Sequence, residues 1–126
     1  MNLVDSSGWL EFFADGPNAD HFVAPITATD DLIVPTIIIY EVFKRVLQQR
    51  SENEALQAVA IMQQGLGVDL DDSLALSAAK LSAENKLPMA DSIILATARQ
   101  FNAIVWTQDA DFAGFEDVKY FEKQPG

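Results

Sequence analysis

Leu87 to Phe112, LPMADSIILATARQFNAIVWTQDADF, reads as a helix, a short turn, a buried strand and an acidic loop. Pro88 suits a first helical turn, where its missing N–H has no partner to lose. Asp91 closes that turn, and Ile94, Leu95 and Ala98 follow at helical spacing, so the carboxylate shares their apolar face. A carboxylate at the head of a face that packs inward needs a partner: a helix N-terminus, a cation or a metal. After Gln100-Phe101-Asn102, the run Ala103 to Thr107 suits a central strand, and it empties into Gln108-Asp109-Ala110-Asp111-Phe112. A helix start and a strand end, each bearing Asp, are how an acidic pocket is assembled on an α/β sheet.

Working outward to the N-terminus, Met1 to Val4 reads as a short buried strand ending at Asp5, with Ser6 or Ser7 placed to cap the next helix. Asp5 by itself reads equally well as a cap. Trp9, Leu10, Phe12 and Phe13 form an apolar stripe, stopped by Asp15-Gly16-Pro17. Asn18 to Thr29 offers no catalytic group. It holds the single histidine, His21, whose apolar neighbours give it a structural reading and leave no multi-histidine metal site. Asp30-Asp31 read as turn residues, and Leu32-Ile33-Val34 as a second strand closed by Pro35.

Thr36 is placed to cap a long helix running to about Gln49, with Ile37, Ile38, Tyr40, Val42, Phe43, Val46 and Leu47 on a broad apolar face. Glu41 sits among them. Taken alone it reads as an i,i+4 partner of Arg45, worth ~0.2–0.5 kcal/mol; taken with Asp5 it is a carboxylate aimed at the same pocket. Lys44, Arg45 and Arg50 cluster here, suggestive of phosphate contacts or of a solvated face. Ser51-Glu52-Asn53-Glu54 has the spacing of a capping box. Val68-Asp69-Leu70 is a brief strand candidate, and Asp71-Asp72-Ser73 precede a helix from Leu74 to about Glu84. Val118 to Phe121 suggests a last strand. Alternating strands and helices point to one α/β domain over residues 1–126, with a mainly parallel sheet.

Composition bounds the chemistry. With 126 residues, 49% of them hydrophobic and 21% charged, the chain is long enough to bury a core. The absence of cysteine removes disulfides, thiolate metal sites and cysteine nucleophiles. No secretory pattern and no bilayer-length apolar run is visible, so a cytoplasmic protein without a membrane association is expected. Nineteen acids against eight bases, a net charge of −11, disfavours nonspecific nucleic-acid binding unless acids gathered around metal ions make a positive site.

Asp5 and Asp109 follow buried strands, and Glu41 and Asp91 lie early in apolar-faced helices. In an open parallel sheet, ligands bind beyond the carboxyl ends of the strands. Four carboxylates meeting there repel one another unless a cation is bound, and oxygen ligands alone favour a hard ion, Mg²⁺ or Mn²⁺.

The segments VDSSGWLEFF from Val4, YEVFKRV from Tyr40, LPMADSIILATA from Leu87 and IVWTQDADF from Ile104 together resemble a PIN-domain ribonuclease, in particular the VapC-like toxins of bacterial and archaeal toxin–antitoxin pairs. The resemblance covers nearly the whole chain. It implies a three-layer sandwich with five strands in the order 3-2-1-4-5 and helices on both faces. It also implies metal-assisted hydrolysis of RNA phosphodiester bonds. The family's four acids fall on Asp5, Glu41, Asp91 and Asp109, with Asp111 a nearby fifth, and Thr107 matches its hydroxyl residue. Ser6 or Ser7 matches the small polar residue after the first acid. Asp5, Asp91 and Asp109 or Asp111 then hold metal, with Glu41 as ligand or water-positioning base. Lys44, Arg45 and Arg99 are candidate guides for the RNA backbone. The resemblance further implies a homodimer held inactive by a VapB-like antitoxin.

Two other readings compete. One is a non-catalytic module of the same fold whose acids grip a basic partner. The other is a phosphoacceptor receiver domain, which requires paired acids after the first strand and a lysine after the last; here Asp5 is followed by Ser6-Ser7, and Lys119 lies inside the last strand candidate.

Overall fold

Short apolar runs separated by helices leave each strand to pair with another across a crossover, and parallel pairing is the result. The computed structural model describes residues 1–125. The strands are β1 (Asn2–Val4), β2 (Leu32–Pro35), β3 (Leu66–Val68), β4 (Ile104–Thr107) and β5 (Val118–Tyr120). The helices are α1 (Ser6–Phe13), α2 (Ala19–Thr27), α3 (Thr36–Gln49), α4 (Glu52–Met62), α5 (Asp72–Asn85) and α6 (Met89–Gln100). All four strand pairings are parallel and the order is β3-β2-β1-β4-β5. The fold class is therefore as the sequence leads one to expect. Leu3 and Val4 are both fully buried. Adjacent strand residues face opposite sides, so both faces of the sheet are covered.

The order reverses at β1: the chain builds outward through β2 and β3, then returns to place β4 on the other side. The carboxyl ends of β1 and β4 thus flank a topological switch point, the place where such sheets bind ligands. Trp9, Phe22, Ile33, Ile94, Leu95 and Phe112 fill the core. Burying each aliphatic or Phe side chain among them stabilises the fold by roughly 1.5–3 kcal/mol. Helix α6 is buried on every side from Ser92 to Ala98, so its first turn is held rigidly against the sheet.

Several local expectations are corrected. Asp5, not Ser6 or Ser7, caps α1: its Oδ1 accepts from Gly8 N at 3.0 Å. Pro35 occupies the cap position of α3, making Thr36 its first helical residue. The third strand lies two residues before the expected Val68–Leu70. It is an edge strand whose Leu66 is half exposed, so it carries no apolar run to read. Its position follows from Gly65, where a Cβ would lie 2.9 Å from Leu32 O, so only glycine lets the chain turn this close to β2. Helix α2 had no sequence reading as a helix; it contains Pro25, whose missing N–H masks the pattern. Tyr40, on the expected apolar face of α3, is exposed, and only Ile38 and Val42 of that helix are fully covered. His21 is structural as read, its ring stacked on Phe121 with centroids 4.3 Å apart.

Candidate metal centre

Each of the four acids reaches the carboxyl edge of the sheet by a different route. Asp5 continues β1, its N–H donating to Trp106 O across the β1–β4 ladder. Asp109 follows β4 by two residues. Glu41 lies in the second turn of α3, which begins directly after β2, and Asp91 lies in the first turn of α6. The N-terminus of α6, with its positive dipole end, therefore faces the cluster.

Asp5 is the buried hub. Its Oδ1 accepts from Ser7 Oγ at 2.7 Å as well as from Gly8 N, and its Oδ2 accepts from Thr107 Oγ1 at 2.7 Å. Gly8 makes this geometry available: a Cβ there would lie 2.6 Å from Val4 Cγ1, so any side chain would push α1 off β1. The two hydroxyls also hold the acidic loop. Thr107 Oγ1 accepts from Asp109 N at 2.8 Å, and Ser7 Oγ from Gln108 N at 2.9 Å. Asp109 Oδ1 in turn accepts from Asp111 N at 2.9 Å. A second layer was not foreseen from sequence: buried Asn18 donates to Gln108 Oε1 at 2.7 Å and ties α2 to the same loop. Nothing in the sequence marks this pair, because both are ordinary polar residues far apart in the chain.

Burial, and then mutual repulsion, raises the pKa of three of the acids. Burial pushes Asp5 up to about 6 despite its three hydrogen bonds, and the Asp109 charge adds to the shift. Glu41 is also raised, by burial and then by Asp109, with the Ser6 hydroxyl opposing. Asp91 is pushed up to about 8, first by burial, then by the charges of Asp109 and Asp111, a hydrogen bond with Asp111 and the charge of Asp5. Asp109 thus repels all three of the other acids. One carboxylate oxygen each from Asp91, Asp109 and Asp111 lies within 4.8 Å of the other two. Glu41 Oε1 is buried and lacks a hydrogen-bond partner.

The basic candidates separate. Lys44 and Arg45 line a groove beside Glu41. The expected Glu41–Arg45 ion pair is absent: among the described residues the ion pairs are Arg50–Glu54 at 3.9 Å and Arg99–Asp117 at 3.6 Å. Arg99 lies at the far end of α6, about 12 Å along the axis from Asp91 at 1.5 Å per residue, and is not brought to the acids.

The family model for the PIN domain matches residues 3–118. The chain belongs to the PIN-domain family. The match spans all five acids. This PIN domain is similar in fold to a toxin–antitoxin complex from Klebsiella pneumoniae, with a TM-score of 0.82 and 22% identity over 98% of this chain and 100% of that one. It is also similar to VapBC2 from Rickettsia felis bound to a DNA fragment from its promoter, with a TM-score of 0.75 and 11% identity over 96% and 98% of the two chains. A third likeness is to VapC20 of Mycobacterium tuberculosis, described as a sarcin–ricin-loop-cleaving toxin, with a TM-score of 0.73 and 16% identity over 94% and 98%. No curated protein matches the chain significantly. Among the described residues, no helix of this PIN domain is long and apolar enough to cross a membrane.

Proposed function

We propose that this PIN domain is a Mg²⁺- or Mn²⁺-dependent endoribonuclease, the toxin of a cytoplasmic toxin–antitoxin pair. The observation that carries the reading is the convergence of Asp91, Asp109 and Asp111 without an ion-pair partner among the described residues. The residues present fit a hard divalent ion: every donor is a carboxylate oxygen, their mutual repulsion is unrelieved within the chain, and Glu41 Oε1 is buried without a partner. Asp91, Asp109 and Asp111 would hold the ion, with Asp5, whose carboxylate accepts from Ser7, Gly8 and Thr107, as the fourth candidate ligand. Such an ion supplies charge neutralisation at the phosphate and acidifies a bound water.

The chain's own groups supply the rest. Glu41 accepts a hydrogen bond from the attacking water and takes its proton; its raised pKa brings it nearer to neutrality than a free carboxylate. Thr107 and Ser7 fix Asp5 and the loop bearing Asp109, so the ligand set is held before substrate arrives. The likeness to a sarcin–ricin-loop-cleaving toxin supports RNA as substrate, and the likeness to toxin–antitoxin complexes, VapBC2 among them, supports a VapB-like antitoxin as partner; a homodimer is part of the same proposal. The test is cleavage of purified cellular RNA with millimolar Mn²⁺ against EDTA, for the parent and Asp91→Asn. Metal-dependent cleavage lost in the variant is expected. Cleavage equal in EDTA, or equal in Asp91→Asn, refutes the reading.

A further inference from the structure

Beside Glu41 a groove of about 310 Å³ runs between α1 and α3, lined by Ser6, Tyr40, Glu41, Lys44 and Arg45 among others. Three properties set it apart. Tyr40 presents an aromatic ring to solvent at 63% exposure, directly next to a proposed catalytic residue. Lys44 stands one turn on, its Nζ 5.8 Å from the centre of that ring. Neither Lys44 nor Arg45 has a carboxylate partner among the described residues, in a chain of nineteen acids and eight bases. Only Arg50 and Arg99 of the eight bases are in ion pairs among the described residues, so what marks Lys44 and Arg45 is their place in the groove beside Tyr40 and Glu41. An aromatic face flanked by free cations is the combination that binds single-stranded nucleic acid: the ring stacks on a base, and the cations contact the backbone.

We propose that this groove is the substrate subsite adjoining the scissile phosphate, and that it takes one unpaired nucleotide, its base stacked on Tyr40 and its phosphate held by Lys44 and Arg45. The proposal rests on the ribonuclease reading for the position of the scissile bond. It specifies the substrate as RNA that is single-stranded at the cut, since a base still paired within a duplex has no free face to offer Tyr40. It also reconciles the net charge with RNA binding, because the contact is local and small.

The test is fluorescence anisotropy with a labelled single-stranded 12-mer RNA of mixed sequence and with the duplex of the same sequence. It is run in millimolar Mn²⁺ on protein carrying Glu41→Gln to suppress cleavage. Tyr40→Ala is expected to weaken single-strand binding about 5- to 150-fold, the effect of losing one stacked base, while Tyr40→Phe stays within about twofold. Lys44→Gln and Arg45→Gln are each expected to reduce the salt slope of log K by about 0.7. Tyr40 is exposed, so these variants fold, and thermal melts check that they do. Unchanged affinity in Tyr40→Ala overturns the proposal and leaves the groove to a protein segment. An equal loss in Tyr40→Phe overturns stacking. Duplex binding as tight and as sensitive to Tyr40, or no binding of the single strand by the parent, overturns it as well. The two readings fail separately. Cleavage lost in Asp91→Asn with binding indifferent to Tyr40 keeps the nuclease and removes the subsite; Tyr40-dependent binding without cleavage does the reverse.

Discussion

The two ends of the sheet treat charge in opposite ways. At the amino end of β5, Asp117 meets Arg99 at 3.6 Å, and Asp117 O also accepts from Val105 N at 2.9 Å. The acid there is matched within the chain and serves the fold. At the carboxyl ends of β1 and β4, Asp5, Glu41, Asp91 and Asp109 face one another with no ion pair to any of them among the described residues, and the pKa of three of them rises. Helix α6 spans both regions, with Asp91 in its first turn and Arg99 in its last. At Asp117 the chain matches a carboxylate with a cation, and at the switch point it does not. Leaving them unneutralised at the switch point costs stability, which is the usual signature of a site completed by something from outside.

That contrast is most sharply tested by activity. Asp91→Asn and Asp109→Asn are each expected to lower metal-dependent RNA cleavage on the order of 100-fold or more. Asp117→Asn should stay within about twofold of the parent. Equal losses in an assay of initial rates would erase the distinction between the two ends.

Metal-linked stability comes next. Mn²⁺ at ~100 times its dissociation constant should stabilise the parent by ~2.7 kcal/mol in thermal or denaturant unfolding, and Asp91→Asn should remove most of that gain. Without metal, Asp91→Asn should be as stable as the parent or more so, because one repelling charge is gone. Burial first, and the repulsion added to it, sets a pH dependence. A carboxyl whose pKa is higher folded than unfolded favours the folded state when protonated. The contributions of Asp5 and Asp91 are therefore full below their ordinary 3.8 and fade as pH rises through about 6 and about 8 respectively. The metal-free parent should lose stability on going from pH 5 to pH 9, and Asp91→Asn should flatten the upper part of that decline. A parent whose metal-free stability rises over this range would contradict the burial and crowding of these carboxyls.

Thr107→Val probes the scaffold under the acids. It removes the donor to Asp5 Oδ2 and the acceptor of Asp109 N in one step, and should cost about 1–3 kcal/mol in urea unfolding. It should also weaken the Mn²⁺ gain by loosening the acidic loop. The smallest effect is expected at the matched end. Arg99→Ala breaks a partly exposed pair worth about 0.2–1 kcal/mol and should leave the Mn²⁺ shift intact. A large loss of metal binding in that variant would join the two ends into one system.

Much of this was legible in the linear chain, and the reasons are local. Asp91 could be placed because a helix repeats every 3.6 residues, so Ile94, Leu95 and Ala98 declare which way its carboxylate points. Asp5 and Asp109 could be placed because a short apolar run ends at a definable residue. Leu66–Val68 was misplaced by two residues because an edge strand exposes its side chains and leaves no apolar signature. Glu41 was ambiguous for a different reason: i,i+4 spacing allows an ion pair with Arg45 but does not require one, and the rotamers that decide are chosen by packing.

What the sequence determined by itself is most of the elements, all but α2 and the bounds of β3, their alternation, and the type of ligand available: oxygen, acidic, without sulfur and with a single histidine. These follow from periodicity and composition, which act over one or two turns of chain. What only the tertiary structure decided is company. The meeting of Asp91 with Asp109 and Asp111 and the hydrogen bond of Thr107 to Asp5 depend on which side of β1 the fourth strand takes, and the exposure of Tyr40 on how α3 packs. Long-range contacts between residues a hundred positions apart are set by the packing of whole layers, and no local pattern encodes them.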